Sequence, residues 1–178
     1  MYKTLKTENI FKGKILDIKV DTVLLPNGNT TTREVVIHND AAAMVAVDDE
    51  GKILFVTQYR HAIGADLLEI PAGILEEGED PHECALRELE EETSYKAGKI
   101  RHLTSFHTSA GCSNEVLHIY LCTELTKGSY NYDEDEFLTD SRLTLDEAMS
   151  KILSGEITDS KTIIGILMYN ELKNRGEL

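Results

Sequence analysis

A run of acidic residues behind a glycine loop contains the side chains best suited to chemistry. Glu79 follows Gly73 after a short loop, and Glu88, Glu91 and Glu92 come later in the same run. Residues three and four apart share a helix face, so the last three carboxylates are expected to project together. At a separation of about 6 Å, like charges repel by about 3 kcal/mol per pair at an effective dielectric constant near 20. This face therefore predicts a divalent-cation site, and oxygen-only ligation favours Mg²⁺ or Mn²⁺ over zinc.

A plain solvated face is the alternative interpretation of the same residues, because runs of charge usually face water. That interpretation explains the acidic residues themselves. It does not explain why a glycine loop, a helix cap and the spaced Glu79 accompany them. The cation site accounts for all of these features together.

The acidic residues are predicted to lie on a helix that begins after Asp80. Asp80 is a favourable N-cap, Pro81 suits the first helical position, and Glu83 is placed to complete a capping box with Asp80. Arg87 lies four residues from both Glu83 and Glu91, so it is predicted to orient the acidic row from within the helix.

The spacing of these residues resembles the box of the Nudix hydrolase family, G-x5-E-x7-R-E-U-x-E-E-x-G-U, where U is a bulky apolar residue. The matching residues are Gly73, Glu79, Arg87, Glu88, Leu89, Glu91 and Glu92. Ser94 replaces the second glycine, and Tyr95 stands at the last apolar position. That glycine position ends the helix, where a left-handed conformation is easiest for glycine, so Ser94 affects the local turn more than the chemistry.

The resemblance implies hydrolysis of a pyrophosphate bond with a divalent metal, Mg²⁺ or alternatively Mn²⁺. It implies Glu88, Glu92 and the backbone carbonyl of Ala72 as metal ligands, with Glu91 as a further ligand or a catalytic orienting group. It assigns Arg87 to the catalytic set as the residue that holds Glu79 and the acidic row in place.

Two further segments are similar to the ADP-ribose pyrophosphatase subgroup of this family. Glu69 to Gly73 reads E-I-P-A-G, and Gln58 to Arg60 reads Q-Y-R. The likeness implies that Arg60 contacts substrate phosphates and that Arg33 and Glu69 frame the nucleotide end. For Arg60 taken alone, a surface ion pair explains the residue equally well.

The chain also departs from the subgroup at two places. Ser109-Ala110-Gly111 stands where those enzymes usually have Ser-Pro-Gly, and Ile74 stands where they often have lysine. Gly111 is the residue of the first segment that the resemblance assigns to substrate binding. Both departures concern substrate choice rather than the metal site.

A second acidic cluster runs from Tyr132 to Phe137. By the same resemblance, Glu134 is the general base and Glu136 is a metal ligand. A solvated acidic loop is the alternative interpretation of this segment.

Composition predicts one soluble globular chain with a sizeable core. The 178 residues are 41% hydrophobic and 28% charged, and no apolar run approaches the length of a membrane span. The formal charge of −14 argues against general nucleic-acid binding. The N-terminus lacks the character of a secretory signal, and three cysteines without a C-x-x-C pair indicate free thiols. A cytoplasmic location is therefore expected.

The hydrophobic pattern predicts an α+β fold. The predicted strands cover 14–25, 32–38, 41–47, 52–59, 66–70, 99–107 and 115–123. The first two are β-branched runs around a hairpin-like turn at Pro26–Asn29, and the third and fourth form a second pair joined by Asp48–Gly51. Helices are predicted near 145–153, opened by a Thr144–Glu147 capping box, and from Thr158 to Leu172. The resemblance sharpens this to a Nudix α/β/α sandwich with a mixed sheet and an N-terminal antiparallel sheet extension.

The domain and function predictions follow from the resemblance. Residues 1–38 are expected to form the β extension, which would make a homodimer contact, and residues 39–178 the Nudix hydrolase domain. The expected reaction converts ADP-ribose, or a related nucleoside diphosphate sugar, to AMP and ribose 5-phosphate. Two alternatives stay open: a Nudix hydrolase of a modified nucleoside triphosphate, and a Nudix domain that senses nucleotide without turnover.

Overall fold

The computed structural model describes residues 1–128 and 139–178, and this part of the chain contains ten β-strands and three α-helices. The strands are β1 Lys3–Lys12, β2 Leu16–Leu24, β3 Thr30–His38, β4 Ala41–Ala46, β5 Ile53–Arg60, β6 Ala65–Glu69, β7 Ala72–Ile74, β8 Tyr95–His107, β9 Val116–Lys127 and β10 Thr139–Leu143. The helices are α1 Pro81–Thr93, α2 Leu145–Ser154 and α3 Ser160–Arg175. None of the three has the length and apolar content that a membrane span requires.

The described strands form three sheets, with the orders β1-β2-β3, β10-β5-β6 and β7-β4-β9-β8. The first sheet is antiparallel, with β2 paired to both neighbours. Its β2–β3 hairpin confirms the prediction from the two β-branched runs. The turn is closed by a 2.8 Å hydrogen bond from the Leu25 N–H to the Asn29 carbonyl. Gly28 takes a φ of 86° there, a conformation that glycine adopts without strain.

The consecutive strands β4 and β5 do not form the paired unit that the sequence predicted. β4 pairs with β7 and lies beside β9, whereas β5 pairs with β6 and β10 in another sheet. A single bridge between Val47 and Ile53 joins the ends of the two strands. β4 is buried along its whole length, so its sequence lacks the alternation that distinguishes a half-exposed hairpin strand.

Helix α1 covers one face of the β7-β4-β9-β8 sheet. Side chains alternate between the faces of a strand, and Ala42, Met44 and Ala46 of β4 point to the same side. The core on this side also contains Ala85 and Leu89 of α1. The apolar stripe of α1 is therefore buried against β4.

Helix α3 covers the opposite face of the same sheet. A Cβ atom added at Gly165 would lie 2.9 Å from a methyl group of Val45 and 3.6 Å from one of Ile119. Val45 alternates with the β4 residues that face α1, so the two helices enclose the sheet between them. This layering confirms the predicted α+β class and the α/β/α sandwich, and β1-β2-β3 confirms the N-terminal antiparallel extension.

The last two helices begin near the predicted positions. Thr144 and Glu147 form the predicted capping box, in which the side chain of each accepts a bond from the backbone N–H of the other. α3 begins at Ser160 because the Asp159 carboxylate caps it, accepting a 3.0 Å bond from the Thr162 N–H.

Contacts between Cα atoms divide the chain into two compact units. The first comprises Met1–Asp40 and Phe106–Leu117, and the second comprises Ala41–Ser105 and His118–Leu178. Within the first unit, the segment after β8 is joined to β3 by a 2.7 Å bond from the Val36 N–H to the Cys112 carbonyl. The side chain of Asn114 adds bonds to both backbone groups of His38.

The three cysteines are free thiols, as their spacing predicted. Cys84 and Cys122 are buried, and burial raises the pKa of each to about 12. Cys112 is exposed.

Candidate active site

The acidic helix α1 begins and ends at capping residues. The Asp80 carboxylate accepts a 2.9 Å bond from the His82 N–H, and Pro81 occupies the first position, as predicted. The predicted second half of the capping box is wrong, because Glu83 contacts the ring of His82 at 3.2 Å instead of the Asp80 N–H. Ser94 ends the helix with a φ of 61°, the left-handed conformation expected at this position.

Arg87 binds three carboxylates of the box. Its Nε and Nη2 atoms each donate a 2.9 Å bond to Glu79, forming a bidentate pair. Nη1 donates to Glu88 at 2.7 Å and to Glu91 at 3.0 Å. Glu83, the other residue that its spacing allowed, is not among its partners in these bonds. We call Arg87 with Glu79, Glu88 and Glu91 the Arg87 cluster.

The bonds between Arg87 and Glu79 fix the charge of both residues. The hydrogen bonds from Arg87 lower the pKa of Glu79 to about 2. The same pairing, with further contributions from Glu88 and Glu91, raises the pKa of Arg87. Glu79 and Arg87 are therefore fully ionised at neutral pH. Three carboxylates surround one guanidinium, so the cluster carries an excess of negative charge.

Gly73 leaves open the space that the Glu88 carboxylate occupies. A Cβ atom at residue 73 would lie 1.8 Å from the carboxyl carbon of Glu88 and 2.0 Å from one of its oxygens. The glycine of the box thus allows a helix carboxylate to lie directly against the backbone of the preceding loop.

Glu92 connects the helix to this loop from the buried side. It is only 3% exposed, and its Oε2 atom accepts a 3.0 Å bond from the Ala72 N–H. The backbone of Ala72 and the carboxylate of Glu92, both predicted metal ligands, are therefore adjacent. The hydrogen bonds from Arg60 to Glu69 raise the pKa of Arg60, and the charge of Glu92 adds a smaller contribution in the same direction.

Arg60 and Glu69 form a second bidentate pair. Arg60 donates from Nε at 2.7 Å and from Nη2 at 2.6 Å. Glu69 is 1% exposed, whereas 38% of the Arg60 side chain is accessible to solvent. Burial acts to raise the pKa of Glu69, but the bonds from Arg60 and the charge of Lys161 lower it overall. Glu69 therefore stays ionised although it is buried.

Sequence reasoning missed Lys161, which contacts this pair, and its neighbours Asp159 and Thr162 at the start of α3. Lys161 is 8% exposed and forms ion pairs with Glu69 and, at 3.1 Å, with Asp159. Thr162 accepts a 2.8 Å bond from the Ile70 N–H. The available signal was a lysine in the first turn of a helix, where the helix dipole disfavours a cation and a nearby carboxylate is expected. We call Arg60, Glu69, Asp159 and Lys161 the Glu69 cluster.

The other predicted residues belong to the first unit or fall outside the described residues. Arg33 lies on β3 in the first unit and donates a 2.9 Å bond to the Thr32 carbonyl. Gly111 is also in the first unit, with open space beside its Cα. Glu134 and Glu136 fall within 129–138, outside the residues that the structure describes.

The donor set of the box suits a hard divalent cation. Glu88, Glu91, Glu92 and the Ala72 carbonyl offer only oxygen ligands, and the Arg87 cluster has an excess of negative charge. In the described ranges, no three Asp, Glu, His or Cys side chains converge as a preformed metal site. The residues fit the cation through the oxygen chemistry of their ligand atoms rather than through a preformed geometry.

Two family models together match most of the chain. The model described as the NUDIX domain matches residues 37–163, which include the box and both clusters. The model described as the nucleoside diphosphate sugar hydrolase N-terminal domain matches residues 2–36, which include β1 and β2.

Several curated proteins are similar over nearly their whole length. A methanol dehydrogenase activator of Bacillus methanolicus is 48% identical over 166 residues, covering 92% of this chain and 90% of that protein. An ADP-ribose pyrophosphatase of Bacillus subtilis (strain 168) is 46% identical over 173 residues, covering 96% and 93%. An ADP-ribose pyrophosphatase of Mycobacterium tuberculosis (strain ATCC 25618 / H37Rv) is 39% identical over 170 residues, covering 93% and 82%.

A solved structure supports the fold independently. The crystal structure of an ADP compounds hydrolase superposes with a TM-score of 0.89, covering 99% of this chain and 97% of that one. The two sequences are 20% identical, so this likeness concerns the fold alone.

Proposed function

The chain belongs to the Nudix family, and from this premise we propose that it hydrolyses the pyrophosphate bond of ADP-ribose or a related nucleoside diphosphate sugar. The products would be AMP and ribose 5-phosphate when ADP-ribose is the substrate. The observation that carries the proposal is the connection of Arg60, through its partner Glu69 and the loop that follows it to Ala72, to the box carboxylate Glu92. A guanidinium joined in this way to a carboxylate-rich helix suits a diphosphate that bridges the two. Relatives at 46% and 39% identity are ADP-ribose pyrophosphatases.

Enzymes of this family generally depend on a divalent metal, which supplies Lewis-acid catalysis and a more acidic bound water. We propose Mg²⁺, with Mn²⁺ as the alternative, because every proposed ligand atom is oxygen. Glu88, Glu91, Glu92 and the carbonyl of Ala72 would hold the metal, with Glu136 as a further ligand.

The other roles in the reaction are assigned to side chains of the protein. Arg60 would bind the substrate phosphates through Nη1, since its bonds to Glu69 use Nε and Nη2. Glu134 would accept the proton of the attacking water. Arg87 would act by positioning Glu79, Glu88 and Glu91 rather than by contacting substrate.

The remaining proposed substrate contacts follow from the resemblance. Arg33 and Glu69 would help to frame the nucleotide end of the substrate, and Gly111 would also contact the substrate. Residues 1–38 would form the contact surface of a homodimer, and 39–178 the catalytic domain. We further propose a cytoplasmic location, because nucleotide substrates are found there and the cysteines are free thiols.

Product identification on a substrate panel tests this proposal. ADP-ribose, GDP-mannose, a dinucleotide and a modified nucleoside triphosphate are each incubated with protein, with and without Mg²⁺. We expect AMP and ribose 5-phosphate from ADP-ribose, and no turnover in EDTA. Release of inorganic pyrophosphate from the triphosphate alone would support the alternative hydrolase. Tight binding of ADP-ribose without any product would support the nucleotide sensor.

A second candidate function rests on the 48% identity to a methanol dehydrogenase activator. Under this proposal the chain raises the activity of an alcohol dehydrogenase. The test adds the purified protein to methanol dehydrogenase and measures the rate of alcohol oxidation. An unchanged rate over a wide concentration range would exclude this candidate and leave the first one untouched.

A further inference from the structure

Lys161, the buried lysine of α3, contacts Glu69. Glu69 is also the partner of Arg60, the residue proposed to bind the substrate phosphates. Lys161 and Arg60 both contact the Oε2 atom of Glu69. Glu69 also accepts the Nε bond of Arg60 through Oε1, so both of its oxygens are engaged. Lys161 and Arg60 are therefore linked through one carboxylate.

The position of Lys161 is costly without these partners. A buried ammonium requires compensation by carboxylates, and the first turn of a helix disfavours a cation. Asp159 and Glu69 supply the compensation, and Asp159 also caps α3. The Glu69 cluster therefore contains two cations and two carboxylates, which balance each other.

The same end of α3 holds the loop that precedes the box. Thr162 accepts the Ile70 N–H at 2.8 Å, and two residues later the Ala72 N–H bonds Glu92 of α1. The segment from Glu69 to Ala72 is thus attached to α3 at one end and to α1 at the other. Arg60 is oriented by the first of these residues.

We propose that Lys161 is a positioning residue for substrate binding. It holds the Glu69 carboxylate in place and shares its negative charge, so that Arg60 is oriented by Glu69 without being fully neutralised by it. The positive charge of Arg60 then remains available to the diphosphate. This inference rests on the proposed function, in which Arg60 contacts the substrate phosphates.

Lys161→Met tests the inference, because methionine keeps much of the side-chain length and removes the charge. We expect the KM for ADP-ribose to rise about tenfold while kcat changes less than about threefold. The Kd of the α,β-methylene analogue of ADP-ribose, measured by calorimetry with Mg²⁺, should rise by a similar factor. Lys173→Met is the matched control, since Lys173 is an exposed lysine on the same helix, and it should change neither constant.

A balanced variant separates positioning from simple stability. Asp159→Asn combined with Lys161→Met removes one charge of each sign and retains a capping side chain at residue 159. We expect this protein to fold and still to show the raised KM and Kd, because Glu69 has lost its second cation. Wild-type constants in a folded balanced variant would overturn the inference and assign Lys161 to stability alone.

A double-mutant cycle with Arg60→Met identifies the route of the effect. If Lys161 acts through Arg60, Lys161→Met should raise KM by less than about twofold in the Arg60→Met background. Fully additive effects would overturn the inference. Absence of turnover and of analogue binding in the wild-type protein would instead be a failure of the proposed function, which is seen before any variant is compared.

Discussion

The two ionic clusters of the second unit differ in charge balance and in exposure. The Arg87 cluster places one cation among three carboxylates, and the Arg87 side chain is 29% exposed. The Glu69 cluster contains two cations and two carboxylates, and the side chain of Glu69 is only 1% exposed. The first arrangement has an excess of negative charge that favours a further cation, whereas the charges of the second arrangement balance. The comparison supports the proposals that the Arg87 cluster receives a metal ion and that the Glu69 cluster presents Arg60 to the substrate.

The largest expected effect comes from removing a proposed metal ligand next to the Arg87 cluster. Glu92→Gln should lower kcat for ADP-ribose about a thousandfold while the protein stays folded, because a lost ligand removes several kcal/mol of transition-state stabilisation. Steady-state kinetics over a range of Mg²⁺ concentrations measure this effect. Glu90→Gln is the control on the same helix, since Glu90 pairs with Lys96. An unchanged kcat in Glu92→Gln would remove the assignment of Glu92 to the metal.

Loss of a carboxylate should lower the free energy of unfolding more in the Glu69 cluster than in the Arg87 cluster. Glu69→Gln leaves Arg60 and Lys161 without their shared buried anion, and should lower the free energy of unfolding by about 3 kcal/mol. Glu79→Gln, in the more exposed Arg87 cluster, should cost about 1 kcal/mol. Urea unfolding of both variants measures these values. Equal losses would contradict the distinction between a balanced buried cluster and an open one.

The Arg87 cluster should also give stability a dependence on acid pH. The pKa of Glu79 is about 2 in the folded protein, below its ordinary value of 4.5. Its contribution is therefore complete above about pH 4.5 and is lost as the pH falls toward 2. The difference in unfolding free energy between wild type and Glu79→Gln, about 1 kcal/mol at neutral pH, should shrink across this range. A difference that is constant with pH would exclude the pairing.

The smallest expected effect lies at the end of the helix that carries the Arg87 cluster. Ser94 has a φ of 61°, and its buried Oγ has no hydrogen-bond partner in the described part of the chain. Ser94→Gly should raise the free energy of unfolding by about 0.5–1 kcal/mol, because glycine adopts this conformation without strain. Denaturant unfolding measures the gain, and the Mg²⁺ dependence of kcat should be unchanged. A loss of stability would show that the serine is favourable where it stands.

Local patterns in the sequence were sufficient for most elements that position the box. The Asp80–Pro81 cap, the Thr144–Glu147 capping box and the turn at Gly28 each depend on neighbouring residues, and each was confirmed. The pairing of Glu83 with Asp80 was wrong because the adjacent His82 ring takes the Glu83 carboxylate.

Non-local contacts explain what the sequence did not reveal. β4 and β5 both read as apolar runs, and nothing in such a run specifies which sheet it joins. Lys161 escaped notice because its partner Glu69 is 92 positions away in the chain. The assignments of Arg33, Gly111, Glu134 and Glu136 remain predictions from the resemblance.

The three cysteines differ in exposure, so that one of them can be labelled selectively. Thiolates, rather than thiols, react with maleimides. Cys84 and Cys122 are buried, and their raised pKa values keep both thiols protonated at neutral pH. A fluorescent maleimide should therefore modify Cys112 alone, without prior mutagenesis. The resulting conjugate would carry its dye in the first unit, next to Gly111, so a change in its emission on adding nucleotide would test the proposed role of Gly111.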